Sequence, residues 1–190
     1  MLLLLPALAA GLVDIRQVSP NIRLDIRYAT ADNFTRRKVY DEAACFLRPD
    51  VARRLDAVQR DLETRGLGLK LYDCYRPLSV QRRFWALMPD ERYVANPAKG
   101  SRHNRGAAVD LTLVTREGRE LPMPTAYDDF TEAAHRGYNK LPAEAIRNRR
   151  TLEDVMQRHG FIPMPTEWWH FDAQGWERYG ILDVPFSRLR

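Results

Sequence analysis

Cysteine is nearly absent from this 190-residue chain, with Cys45 and Cys74 alone. Two such residues, at no zinc-finger spacing, exclude a cysteine-rich metal module. They leave two readings open: one disulfide across a long loop in an oxidising compartment, or two buried thiols. Lysine is scarce as well, present only as Lys38, Lys70, Lys99 and Lys140, so the net charge of +5 rests on arginine. The arginines alternate with acids, as in Arg53-Arg54-Leu55-Asp56 and Arg60-Asp61-Leu62-Glu63, which is the look of solvated helix faces. The densest run, Arg147-Asn148-Arg149-Arg150, has Glu153 and Asp154 close behind it. No nucleic-acid-binding motif accompanies the charge, so nucleic acid is not an expected partner. Internal repeats, low-complexity tracts and linkers are missing too, and one domain is expected.

Long apolar runs are lacking except at the start. The stretch ahead of Asp14 is apolar, but about 13 helical residues reach only ~20 Å against a ~30 Å hydrocarbon core, so it cannot span a membrane. Its leucines followed by Ala7-Leu8-Ala9 resemble the end of a secretory signal, without the usual positively charged beginning. Residues 1–13 are therefore read as signal-like and 14–190 as the functional domain. The expected location is periplasmic or otherwise exported; the alternative is a cytoplasmic protein with a docked apolar N-terminus.

What is present reads as a mixed domain. Residues 21–28 alternate apolar and polar, as a half-buried strand does. Asp50 is placed to cap a helix running to about Arg65, with Val51, Leu55, Val58 and Leu62 on one face and Gly66 ending it. A strand is expected over Leu67 to Asp73, and a helix over Val80 to Leu87 capped by Ser79. Ala107 to Val114 reads as a strand, and a turn at Glu117-Gly118 returns Arg119 to Met123 as a hairpin. Pro142 opens a long helix to about His159, with Ile146, Val155 and Met156 on its buried side. Trp168 to Phe171 reads as a last strand. The expected fold is α+β: a single, mainly antiparallel sheet with helices packed on one side and a zinc site in a cleft.

Two short segments carry the chemistry. Ser101-Arg102-His103-Asn104-Arg105-Gly106-Ala107-Ala108-Val109-Asp110 and Glu167-Trp168-Trp169-His170 together offer two imidazoles and two carboxylates. Three protein ligands, one open position and one general base make a catalytic zinc stoichiometry. The expected ligands of a single metal are His103, Asp110 and His170, with Glu167 as acid/base; zinc fits this thiolate-free set best, and manganese, iron or cobalt are the alternatives. His103 and Asp110 are seven apart, so an unbroken strand would face them oppositely; Gly106 permits the necessary bend. Glu167 and His170 pose the same parity problem, and a kink or bulge at Glu167 is expected. Trp168 and Trp169 are expected to wall the site. His135 and His159 lack partner acids at a telling spacing and are assigned to structure.

These segments resemble the D-alanyl-D-alanine dipeptidases of the vancomycin-resistance type, within a wider group of zinc D,D- and L,D-peptidases. The likeness extends through Arg27-Tyr28-Ala29-Thr30-Ala31-Asp32-Asn33-Phe34, Tyr72-Asp73-Cys74-Tyr75-Arg76-Pro77 and Leu121-Pro122-Met123. It implies further roles: Arg76 steadying the tetrahedral intermediate, Ser101 contacting substrate, and Tyr28 and Asp128 meeting the free amino group of a dipeptide. Asp129 beside Asp128 is the fallback for that ammonium. The implied reaction is hydrolysis of D-Ala-D-Ala to two D-alanines. The rival readings are a carboxypeptidase trimming peptidoglycan stems and a non-catalytic, zinc-stabilised binding module.

Overall fold

Helices and strands are interleaved along the chain in an order that brings the ends of three strands, Leu67–Asp73, Ala108–Thr115 and His170–Ala173, to one place. The computed structural model describes residues 9–189; most of the signal-like stretch, residues 1–8, lies outside the described residues. The elements are β1 (Val13–Asp14), α1 (Ile15–Val18), β2 (Arg23–Leu24), β3 (Phe46–Leu47), α2 (Pro49–Glu63), β4 (Leu67–Asp73), α3 (Leu78–Leu87), β5 (Ala108–Thr115), α4 (Ala143–Arg158), β6 (Phe161–Pro163) and β7 (His170–Ala173). Five strands form one sheet in the order β2-β4-β5-β7-β6, and β1 pairs with β3 in a separate ladder. The β2–β4 pairing is parallel, and the other three in the large sheet are antiparallel.

The core follows from the apolar spacing. Val51, Leu55, Val58 and Leu62 of α2 are all fully buried, as their steps of three and four require. Leu69, Leu71, Leu111 and Leu113 cover the sheet beneath. Each such side chain contributes roughly 1.5–3 kcal/mol by leaving water. Helix α4 packs against both α2 and β6, so the two long helices share one side. Upstream, Leu12 is buried and Val13 pairs with Leu47, so these two residues belong to the folded domain. The side chain of Leu12 lies over Gly106, where a Cβ would come within 2.4 Å of its Cδ2.

Several expectations need correcting. Pro49 occupies the first turn of α2, and its cap position is Arg48; Asp50 instead lies in the first turn, where its charge suits the helix dipole. Pro77, not Ser79, precedes α3. The strand expected over residues 21–28 survives only as β2. Ile22, Ile26 and Tyr28 keep the alternating burial, but after Asp25 the chain leaves the sheet edge for a 3-10 turn at Arg27–Ala29. The return of residues 119–123 is limited to a bridge between Val114 and Glu120, with the Leu121 N–H donating to the Leu113 carbonyl at 3.0 Å; further along β5 the Leu111 N–H is already taken by the Trp169 carbonyl at 3.1 Å. Ile146 is only half-buried; Ala145 and Arg149 face inward instead. Arg149, from the densest basic run, is buried, and its guanidinium donates to the carbonyls of Tyr138 at 2.8 Å and His135 at 3.2 Å.

Candidate functional site

Strand register builds the floor of the site. Asp73 of β4 lies opposite Asp110 of β5, and Asp110 lies opposite His170 of β7. Directly paired residues put their side chains on the same face, so these three form one row across the sheet. His103 reaches the row from a 3-10 turn, His103–Arg105, that ends at Gly106 with φ 66° and ψ 30°. This is the bend that the seven-residue spacing demands, and its left-handed backbone favours glycine.

The donor atoms converge. His103 Nε2 lies 3.3 Å from Asp110 Oδ1, His170 Nδ1 lies 2.9 Å from the same oxygen, and the two nitrogens are 3.2 Å apart. Metal–ligand bonds of 2.0–2.1 Å in a tetrahedron give edges of about 3.3 Å, so the spacing suits zinc. The outer ring nitrogens are engaged. His103 Nδ1 lies 2.7 Å from the Cys74 carbonyl, and His170 Nε2 lies 2.9 Å from Asp172 Oδ1. Donating there leaves an inward lone pair on each imidazole. Two lone pairs and a carboxylate oxygen at these distances repel one another unless a cation lies among them, so the donor set fits a divalent metal. Tyr127 donates to the other oxygen of Asp110 at 2.9 Å. Burial alone would raise the Asp110 carboxyl, but His103 and His170 outweigh it and hold it well below the usual range.

Glu167 reaches the cluster from a turn rather than a kinked strand. His170 N–H donates to the Glu167 carbonyl at 3.4 Å, and β7 begins only at His170. The turn brings Glu167 Oε2 to 4.0 Å from His170 Nδ1. Arg136 holds it in place by donating to the carbonyls of Met164 (2.8 Å), Trp168 (2.9 Å) and His170 (3.1 Å). Burial pushes the Glu167 carboxyl up to about 8; His170 opposes the rise and Asp110 adds to it. The two tryptophans part company: Trp169 lines the cleft, whereas Trp168 turns away and donates to Thr125 at 2.9 Å.

All eight residues singled out from the sequence line this one cleft of about 70 Å³: Tyr28, Arg76, Ser101, His103, Asp110, Asp128, Glu167 and His170. Arg76 is buried and locked, with two nitrogens on Asp73 Oδ2 at 2.6 and 3.1 Å and a third on Gln81 at 2.8 Å. Ser101 Oγ accepts the His103 N–H at 3.2 Å. Asp128 adopts a left-handed backbone, φ 59°, and accepts from the Tyr28 hydroxyl at 3.1 Å and the Phe34 N–H at 3.0 Å. Burial pushes its carboxyl up to about 7. The neighbouring Asp129 instead accepts the Thr131 N–H at 3.0 Å, and it does not line the cleft. A larger hollow of about 610 Å³ lies at the opposite end of the sheet, near Arg23, Glu63 and Thr115, and no such cluster of donors lines it.

Sequence reasoning missed Asp172, Arg136 and Asp73. Asp172 had a readable signal, since it follows His170 by two on a strand and therefore shares its face. The cysteines resolve into a disulfide, Cys45–Cys74, with Cα atoms 5.3 Å apart. It anchors the residue whose carbonyl orients His103.

An open sheet with a three-donor metal site and a buried carboxylate beside it defines the class, a single-domain metallohydrolase. Family comparison makes this specific: residues 8–187 match the D-ala-D-ala dipeptidase family, Peptidase_M15, and the chain belongs to it. It is 36% identical over 176 residues to the D-alanyl-D-alanine dipeptidase of Escherichia coli (strain K12), covering 93% of this chain and 91% of that one. The D-alanyl-D-alanine dipeptidase of Enterococcus faecium is 32% identical, with 85% and 90% covered. Among solved structures, the LdcB LD-carboxypeptidase aligns with 70% of this chain and 61% of its own, at 18% identity and a TM-score of 0.46.

Proposed function

We propose that the protein is a zinc-dependent D,D-dipeptidase that hydrolyses D-Ala-D-Ala to two D-alanines, with one zinc per chain held by His103, Asp110 and His170. The observation that carries this reading is the cleft itself, which gathers the three convergent donors, Glu167 and Asp128 within about 70 Å³. Bound there, zinc supplies a water acidified to about pKa 7 and an electrophile for the peptide carbonyl. Glu167 takes a proton from the attacking water and returns it to the departing amine. Arg76, fixed by Asp73, presents a permanent cation towards the oxyanion that develops. Asp128 attracts the free ammonium of a dipeptide, and an acylated or longer substrate lacks that partner.

The test compares release of free alanine from D-Ala-D-Ala and from an N-acetylated peptide ending in D-Ala-D-Ala, with zinc supplied to both. Efficient cleavage of the free dipeptide alone is expected. Equal cleavage of the blocked peptide would favour a carboxypeptidase instead.

We further propose that the protein works outside the cytoplasm. The Cys45–Cys74 disulfide supports this, because such bonds persist in oxidising compartments. Thiol alkylation of each cell fraction is the check: the cysteines should resist alkylation in the exported fraction, and a reduced, fully active cytoplasmic pool would overturn the proposal.

A further inference from the structure

We propose that Asp172 is a positioning residue of the metal site, and that Arg102 and Trp176 brace it. The inference rests on the metal-site reading above and adds three residues to it. His170 and Asp172 share one face of β7, and the Asp172 Oδ1 to His170 Nε2 distance is 2.9 Å. A carboxylate at that nitrogen fixes the proton on Nε2 and so commits Nδ1, the atom nearest Asp110, to the metal. The other oxygen, Oδ2, faces Arg102 Nε at 3.5 Å. That Nε is buried and has no hydrogen-bond acceptor of its own, so the carboxylate is its electrostatic partner. The Arg102 guanidinium lies over the Trp176 ring, 4.6 Å from its centre, which restricts its rotamers. The order Trp176, Arg102, Asp172, His170 thus runs from the surface to the metal.

The two imidazoles are oriented by different means. His103 is set by a main-chain carbonyl, which no point substitution removes; His170 is set by a side chain, which a substitution can delete. Asp172 is therefore the adjustable half of the site.

The experiment titrates metal-free protein with zinc against a chromophoric chelator. Asp172→Ala should weaken zinc binding by about 10- to 100-fold, Asp172→Asn by less, and Arg102→Gln in the same direction but less again. In zinc-loaded wild type, ¹⁵N spectra should show His170 metal-bound through Nδ1, with a slowly exchanging proton on Nε2. In Asp172→Ala that proton should exchange faster, a change that a merely structural aspartate would not cause. Zinc affinity of Asp172→Ala within twofold of wild type, or a His170 bound through Nε2, would overturn the proposal. If Asp172→Ala does not fold, unchanged affinity in Asp172→Asn overturns it as well. The titration needs no substrate, so zinc binding that depends on Asp172 in a protein inert towards D-Ala-D-Ala would sink the proposed activity and leave this inference standing.

Discussion

The floor of the cleft and its substrate-facing wall are built by opposite means. On the floor, Asp110 and His170 are partners in adjacent strands, and His103 is tied by its ring to the Cys74 carbonyl. The wall comes from irregular segments: Tyr28 follows the chain's departure from the sheet edge, and Asp128 lies in a loop with a left-handed backbone. These wall pieces are joined by side chains, through the Tyr28–Asp128 hydrogen bond and edge-on contacts of Phe34 with Tyr28, Phe84 and Phe130. Bond-making geometry tolerates errors of only about half an ångström, and strand register supplies that fixity. The residues proposed to meet the substrate lie instead on irregular segments, and such segments in general can change without disturbing a sheet.

Substitutions can break the two regions separately. On the floor, Glu167→Gln should lower kcat by about 10²- to 10⁴-fold while elemental analysis still finds zinc; loss of zinc with activity would mean that Glu167 is a ligand. Removing the disulfide with Cys45→Ser and Cys74→Ser opens a loop with a sequence separation of 29 and should cost about 3–4 kcal/mol in denaturant unfolding.

On the wall, Asp128→Asn should raise KM for the dipeptide by about 10- to 100-fold and leave kcat nearly unchanged. The pH dependence sharpens this prediction. Wild-type KM should rise as pH falls below about 7, where the Asp128 carboxyl takes up its proton; the variant's KM should lack that limb. Stability should move the other way. A carboxyl whose folded pKa is raised favours the fold least once it is ionised, so its cost grows from about pH 4 to about pH 7 and persists above. Asp128→Asn should thus melt higher than wild type at pH 8 and alike at pH 4, and asparagine accepts the left-handed backbone readily. The smallest effect belongs to neither region. Removing the Arg60–Asp56 pair on α2, whose arginine is 72% exposed, should shift unfolding by at most about 0.5 kcal/mol.

The floor was largely legible in the sequence, and the wall was not. A four-residue apolar stripe specifies α2, and the glycine between His103 and Asp110 announces a bend because no regular strand could bring both to one metal. The irregularity at Glu167 was expected from parity, but its form as a turn was not, because no glycine lies within it and its proline comes two residues earlier; it is held by Arg136, 31 positions upstream, through carbonyls that carry no sequence signature. Tyr28 and Asp128 are 100 residues apart, and no local periodicity relates them; they were reached only through the family likeness. The disulfide was undecided for the same reason, since cysteine spacing does not report Cα separation.

The contact between Leu12 and Gly106 has a consequence for processing of the polypeptide. Leu12 roofs the hinge that carries His103, and Val13 is stitched to Leu47. A cut upstream of Leu12 would leave both of these contacts in place. Trimming past Leu12 would uncover the bend at Gly106, and trimming past Asp14 would also leave β3 without its antiparallel neighbour.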